Sequence, residues 1–147
     1  MKKMIEIPIE VVELEENSFH LLIECKINSD QKGEMVIDTG ASKTVLDNNF
    51  VDDYQKIEKE ESEVKSRGLG AGSIETEMAK IDRFKVGTLC INQFSCALID
   101  LSGINEMYRQ YCNREICGLL GSDFLLKYNG IIDYSRRVLQ LSTDRVG

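Results

Sequence analysis

The apolar residues of this chain come in short runs, several with a period of two, and that pattern commits most of it to β-structure. Between Lys3 and Leu14, Ile5, Ile7 and Ile9 fall on one face while Glu6, Pro8 and Glu10 fall on the other. Alternation of this kind reads as a strand with one buried face. Pro8 has no amide proton to give a neighbour, so the strand belongs near a sheet edge. Glu15-Glu16-Asn17-Ser18 reads as a turn, and Phe19 to Ile27 as the second strand of a hairpin. A polar turn from Asn28 to Gly33 leads into a short apolar strand, Glu34 to Ile37. Further strands are expected at Ile81 to Val86, Cys90 to Asp100, Ile116 to Leu120, Ile131 to Tyr134 and Arg137 to Leu141. Three segments read as short helices. Asp47 is placed to cap one that carries Phe50, Val51, Tyr54 and Ile57 at helical spacing; a second runs from Ile104 to Cys112; Ser122 caps a third that runs through Tyr128. The sum is about nine strands and two or three short helices, a mainly β chain. With no internal repeat or linker, residues 1–147 read as one domain.

Composition narrows the function classes. Hydrophobic residues make up 42% and charged residues 29%, the balance of a soluble globular domain. No apolar run approaches the ~18 residues of a membrane span. After Met1-Lys2-Lys3-Met4 the chain is broken by Glu6, Pro8 and Glu10, which leaves no apolar core for a signal peptide and makes the cytoplasm the expected location. The net charge of -7 disfavours nucleic acid, whose binding rests on Lys and Arg meeting phosphates. The five cysteines, Cys25, Cys90, Cys96, Cys112 and Cys117, are odd in number and match no disulfide framework. They form no C-x-x-C pair and the lone His20 is remote in sequence, so they read as buried thiols, and no metal or other cofactor is implied.

Chemistry enters at Asp38-Thr39-Gly40-Ala41-Ser42, which follows directly on the apolar strand that ends at Ile37. A carboxylate at the end of a buried strand is an expensive place for a charge. The tripeptide alone also fits an Asp that opens a turn, with Gly40 at positive φ. A second element follows some 80 residues later. In Ile116-Cys117-Gly118-Leu119-Leu120-Gly121-Ser122, two large apolar residues precede a glycine and then a helix, and Leu126 to Tyr134 returns to a strand.

Together these segments resemble the retropepsin-like family of aspartic peptidases: D-T-G-A-S, a glycine-rich flap, then two apolar residues and a glycine before a C-terminal helix. The resemblance runs in order over residues 20 to 142. It implies a closed, β-barrel-like acid-protease half in which the strand of Leu119-Leu120-Gly121 crosses beside the D-T-G loop. It further implies that Asp38 is the catalytic residue, that Thr39 bonds across a dimer axis, and that Gly40 lets the backbone approach the carboxylates with its N–H aimed at them. Ala41 and Ser42 would border the substrate. Arg67 to Ser73, with Leu69, Gly70, Ala71 and Gly72 at its tip, would be the flap that folds over the substrate and excludes water.

Peptide hydrolysis of this type needs two carboxylates that share a proton, one activating water and the other donating to the carbonyl oxygen. The chain has one D-T-G, and Asp123 and Asp133 lack a Thr-Gly successor. A two-fold homodimer would supply the second Asp38. Retroviral members pair an acidic residue with an Arg where Ser42 and Ser122 stand here; cellular and bacterial members vary at these positions, so the resemblance does not carry that dimer-support network over. Ala41 stands where many pepsins have Ser; the loss of that hydroxyl predicts activity nearer neutral pH. Polypeptide is the expected substrate. Ile37, Val45, Leu69, Ile74 and Leu119 are candidate pocket residues that core packing explains equally well. The strands at Ile5 to Ile9 or Val138 to Leu141 could interleave between subunits or pair within their own sheet. Two alternatives stand beside the peptidase: a catalytically silent domain of the same fold that binds peptide strands or a partner, and an unrelated β-rich domain with a chance D-T-G.

Overall fold

A computed structural model describes residues 2–58 and 76–144. Among these residues the chain forms eleven strands and two helices. β1 (Lys2–Pro8), β11 (Val138–Asp144) and β10 (Ile131–Asp133) make a three-stranded sheet in the order β1-β11-β10. β1 is an edge strand that ends on Pro8, and it buries Ile5 and Ile7 against the rest of the molecule. The two strands that sequence left as candidates for interleaving between subunits therefore pair with each other, Ile5 opposite Leu141 and Ile7 opposite Leu139.

The larger sheet holds β2 (Glu10–Glu13), β3 (Phe19–Ile27), β4 (Gln31–Ile37), β5 (Val45–Asp47), β6 (Gln55–Lys56), β7 (Glu77–Val86), β8 (Leu89–Ile99) and β9 (Gly118–Leu120). Its order is β2-β3-β4-β9-β5-β8-β7-β6, and a further pairing of β7 with β3 closes six of the strands into a barrel. Closure satisfies the edge hydrogen bonds of those strands and gives the barrel an inside and an outside. Alternation along each strand then sorts the apolar residues. Ile23, Cys25 and Ile27 of β3 face the main core with Met35, Leu46, Ile81 and Phe84. Leu22 and Val36 face the other way, into a second cluster under helix α1 (Ser102–Cys112) with Val12, Leu101 and Tyr108. Helix α2 (Ser122–Lys127) sends Phe124 into the main core, edge-on to the stacked pair Phe84 and Phe94.

The expected elements mostly appear, with shifted ends. β4 begins at Gln31 rather than Glu34, because Lys32 and Gln31 pair with Lys26 and Ile27 and shorten the turn to Asn28-Ser29-Asp30. β7 and β8 meet through Gly87-Thr88, where Gly87 has φ +60° and a Cβ would stand 3.0 Å from Ile7. One expected element does not form. Among the described residues 48–58 no helix follows Asp47: Phe50 and Val51 close a single turn onto the carbonyl of Asp47, and the chain goes on to β6. Asp47 is held in β5 beside Ile99, and its carboxylate accepts from the amides of Asn49 and Leu101. Tertiary pairing outweighs the local helical spacing there. At α2 the cap is Gly121 rather than Ser122, and no side chain caps it.

Candidate active site

β4 delivers Asp38. Val36 and Ile37 run parallel to Leu119 and Leu120 of β9, and the Asp38 amide extends that ladder by donating to the carbonyl of Leu120 at 2.9 Å. The chain then turns: Ala41 N–H donates to the Asp38 carbonyl at 3.1 Å, and Ser122 N–H donates to the Ala41 carbonyl at 2.7 Å. The D-T-G loop is thus stitched to the start of α2. The Asp38 carboxylate accepts the Gly40 amide at 3.1 Å through Oδ1. Asp38 and Ala41 are half-buried, while Thr39, Gly40 and Ser42 are exposed in the single chain. Asp38 thus opens a turn, but Gly40 is not at positive φ; Gly87 is the glycine with positive φ among the described residues.

A second layer fixes the loop from beneath. Thr44 is fully buried. Its hydroxyl donates to Asp123 Oδ1 at 2.8 Å and accepts the Gly121 amide at 3.0 Å, while its own amide donates to Asp123 Oδ2 at 3.1 Å. Gly121 is required by closeness: a Cβ would lie 2.8 Å from the carbonyl oxygens of Ala41 and Lys43. Asp123 and Asp133, weighed in sequence as partners for Asp38, are both engaged elsewhere. Asp133 accepts from the amide of Arg136 and then from the Ser135 hydroxyl, and these bonds, in that order, hold its carboxyl below the usual range.

Beside Asp38 and Thr39 lies a cleft of about 400 Å³. Phe19, His20 and Leu21 of β3 line it, as do Ile104, Met107 and Tyr108 of α1, and Ile132 and Tyr134. Ile37 and Leu119, named from sequence as possible pocket residues, border it; Val45 lies instead in the cluster under α1. His20 Nδ1 and the Tyr108 hydroxyl are hydrogen-bonded at 2.6 Å, with the rings edge-on. The Tyr108 hydroxyl is pushed up to about 12 by burial first, and then by the negative charges of Cys112 and Asp38. A larger concavity of about 460 Å³ lies between β4 and α1, and none of residues 38–42 borders it.

The residues that sequence reasoning missed are those of this cleft wall: Phe19, His20, Met107 and Tyr108. Their signal was present in part. Ile104, Met107, Tyr108 and Tyr111 follow helical spacing, which marks an apolar stripe on α1 but not what it faces. Leu69, Gly70, Ala71 and Gly72, expected at the flap tip, lie outside the described residues, as does Ile74. Of the cysteines read as buried thiols, Cys25, Cys96 and Cys117 are buried, Cys112 is half-buried and Cys90 is exposed.

Three comparisons bear on this geometry. The family model described as aspartyl protease matches residues 23–124. The crystal structure of a retropepsin-like aspartic protease from Rickettsia conorii superposes with a TM-score of 0.50 at 15% identity, over 99% of this chain and 95% of that one. No curated protein matches the sequence. The family match takes in β4, the D-T-G loop, β9 and the start of α2, the segments that geometry alone singles out, and the chain belongs to the aspartyl protease family with a retropepsin-like fold.

Proposed function

We propose that the chain is an aspartic endopeptidase that works as a homodimer, with Asp38 of each subunit forming one catalytic dyad. The observation that carries this reading is the state of Asp38: its loop is braced from below by Thr44 and Asp123, while its rim, Thr39 and Gly40, is exposed in the single chain beside a cleft. A single D-T-G presents one carboxylate, and the chemistry needs two. Two such carboxylates brought side by side cannot both ionise, a situation for which aspartic proteases are the standing example. The ionised one takes a proton from the attacking water. The protonated one donates to the carbonyl oxygen of the peptide bond. The resulting tetrahedral carbon collapses with proton transfer to the leaving amine. Gly40 N–H steadies the carboxylate that is charged. Thr39, exposed in one chain, bonds its counterpart across the axis and holds the loops together. The five free thiols suit a reducing compartment, in keeping with a cytoplasmic location.

The test is cleavage of a mixed peptide library by the wild type and by Asp38→Asn, which keeps shape while removing the shared proton. Cleavage by the wild type alone supports the reading. Equal behaviour of the two proteins defeats it. Binding of a statine-type analogue by a wild type that never cleaves would favour the silent peptide-binding domain instead.

A further inference from the structure

Asp38 and Thr39 border the cleft, and much of the rest of its wall is aliphatic or aromatic, with His20 set into it. Phe19, Met107, Ile132 and Tyr134 offer aromatic and flexible apolar surface, which suits the flat face of an aromatic ring. His20 interrupts that surface. Its ring is hydrogen-bonded to Tyr108, which is buried at 2% exposure and packed in the cluster under α1, so the imidazole is oriented by a residue held in the core. That bond uses Nδ1. Nε2 has no hydrogen-bond partner among the described residues and is not sealed in the core, because His20 is only half-buried.

In the neutral ring one nitrogen donates and the other accepts, so the role of Nε2 is the complement of the role Nδ1 plays toward Tyr108. If the Tyr108 hydroxyl donates to Nδ1, Nε2 carries the proton and seeks an acceptor. In the other tautomer Nε2 seeks a donor. A hydroxyl serves either case, since it both donates and accepts. We propose, resting on the endopeptidase reading above, that His20, positioned by Tyr108, is a specificity-determining residue that selects a tyrosine side chain of the substrate over phenylalanine in the pocket next to the scissile bond. The aromatic walls hold the ring and Nε2 meets the phenol. A phenylalanine would fill the same volume but leave Nε2 cut off from water and unpaired, and sites built to bond a substrate hydroxyl discriminate strongly against the analogue that lacks it.

The experiment compares two peptides that differ only in Tyr or Phe at the positions flanking the cleaved bond, by two readouts. The first is the ratio of kcat/KM for the pair. The second is the ratio of Kd for the same pair on Asp38→Asn protein, which reports the pocket whether or not the chain turns over. The expected result is a preference for Tyr of about tenfold or more in both. In His20→Leu the ratio falls to about one, whatever happens to the absolute rate, and in His20→Gln, which keeps hydrogen-bonding groups, part of it returns. Tyr108→Phe, which frees the imidazole, lowers the ratio while circular dichroism stays unchanged. A wild type that favours Phe, or a His20→Leu protein that keeps the Tyr preference, overturns the proposal. Absence of cleavage with a Tyr preference intact in Kd would defeat the endopeptidase reading and leave the pocket assignment standing.

Discussion

Thr44 and Asp123 tie the D-T-G loop to the helix that follows Gly121. The threonine hydroxyl and amide reach the two carboxylate oxygens at 2.8 and 3.1 Å, across 79 residues of sequence. The same hydroxyl receives the buried Gly121 amide. Thr44→Val keeps the shape and removes the hydroxyl, leaving that amide without its acceptor. The expected loss is about 1–3 kcal/mol of stability in chemical denaturation, with Thr44→Ser close to wild type. A Thr44→Val protein as stable as the wild type would mean that the clamp is incidental.

Gly121 and Gly103 should respond to alanine in opposite directions. At Gly121 the new Cβ meets backbone atoms of Ala41 and Lys43 at 2.8 Å, and backbone cannot swing aside as a side chain can. Gly121→Ala should cost about 3 kcal/mol and push the Asp38 loop out of place. At Gly103, inside α1, nothing lies within 4 Å of the new Cβ. Gly103→Ala should stabilise by about 0.5–1 kcal/mol through helix propensity. Thermal denaturation of the two variants, with activity measured alongside, checks both.

These two glycines also show how far the sequence could be read. Leu119-Leu120-Gly121 was legible as a unit beside D-T-G because strand, glycine and helix follow one another along the chain. That Asp123 would hold Thr44 was not, because nothing local links residues 79 apart. The helix expected after Asp47 failed for a related reason. Its spacing of Phe50, Val51, Tyr54 and Ile57 was real, but Asp47 is held by pairing with Ile99 and by the Leu101 amide, partners on a distant strand and helix. The cleft wall was hidden in the same way: His20 and Tyr108 are 88 residues apart, and only the barrel and α1 together bring them to 2.6 Å. Period-two alternation revealed the strands. It could not reveal which strand closes on which.

Acid should loosen the corner where Arg114 binds Glu10 of β2 and Glu34 of β4. The hydrogen bond from Arg114 holds the Glu10 carboxyl below its ordinary value of 4.5, with burial opposing and the Arg114 charge adding to the effect. A carboxylate with a depressed folded pKa adds stability above its unfolded pKa and loses it as pH falls through the folded value. Arg114→Ala should therefore lower the melting temperature more at pH 7 than at pH 3. Glu10 is about half exposed, with 54% of its side chain accessible, so this pair contributes at most about 1 kcal/mol. An equal effect of the substitution at both pH values would contradict the assignment.

The thiols should separate by reactivity. Burial, helped by the charge of Asp123, pushes Cys96 up to about 12. The hydrogen bond with Cys25, at 3.5 Å, and burial raise Cys117. Thiolate is the reactive form, so iodoacetamide at pH 8 should label exposed Cys90 first and reach Cys25, Cys96 and Cys117 only on unfolding. Peptide mapping by mass spectrometry reads the order directly, and labelling of Cys117 as fast as Cys90 would contradict it.

The central claim is that Asp38 is half of a catalyst. Mixing tests it most directly: wild-type and Asp38→Asn chains are combined at fixed total concentration, allowed to exchange subunits, and assayed on a cleaved peptide. If each site needs Asp38 from both subunits, activity follows the square of the wild-type fraction and an equal mixture retains about one quarter. Activity proportional to the fraction, with about one half remaining, would mean that one chain carries a complete site and would contradict a dyad shared between subunits.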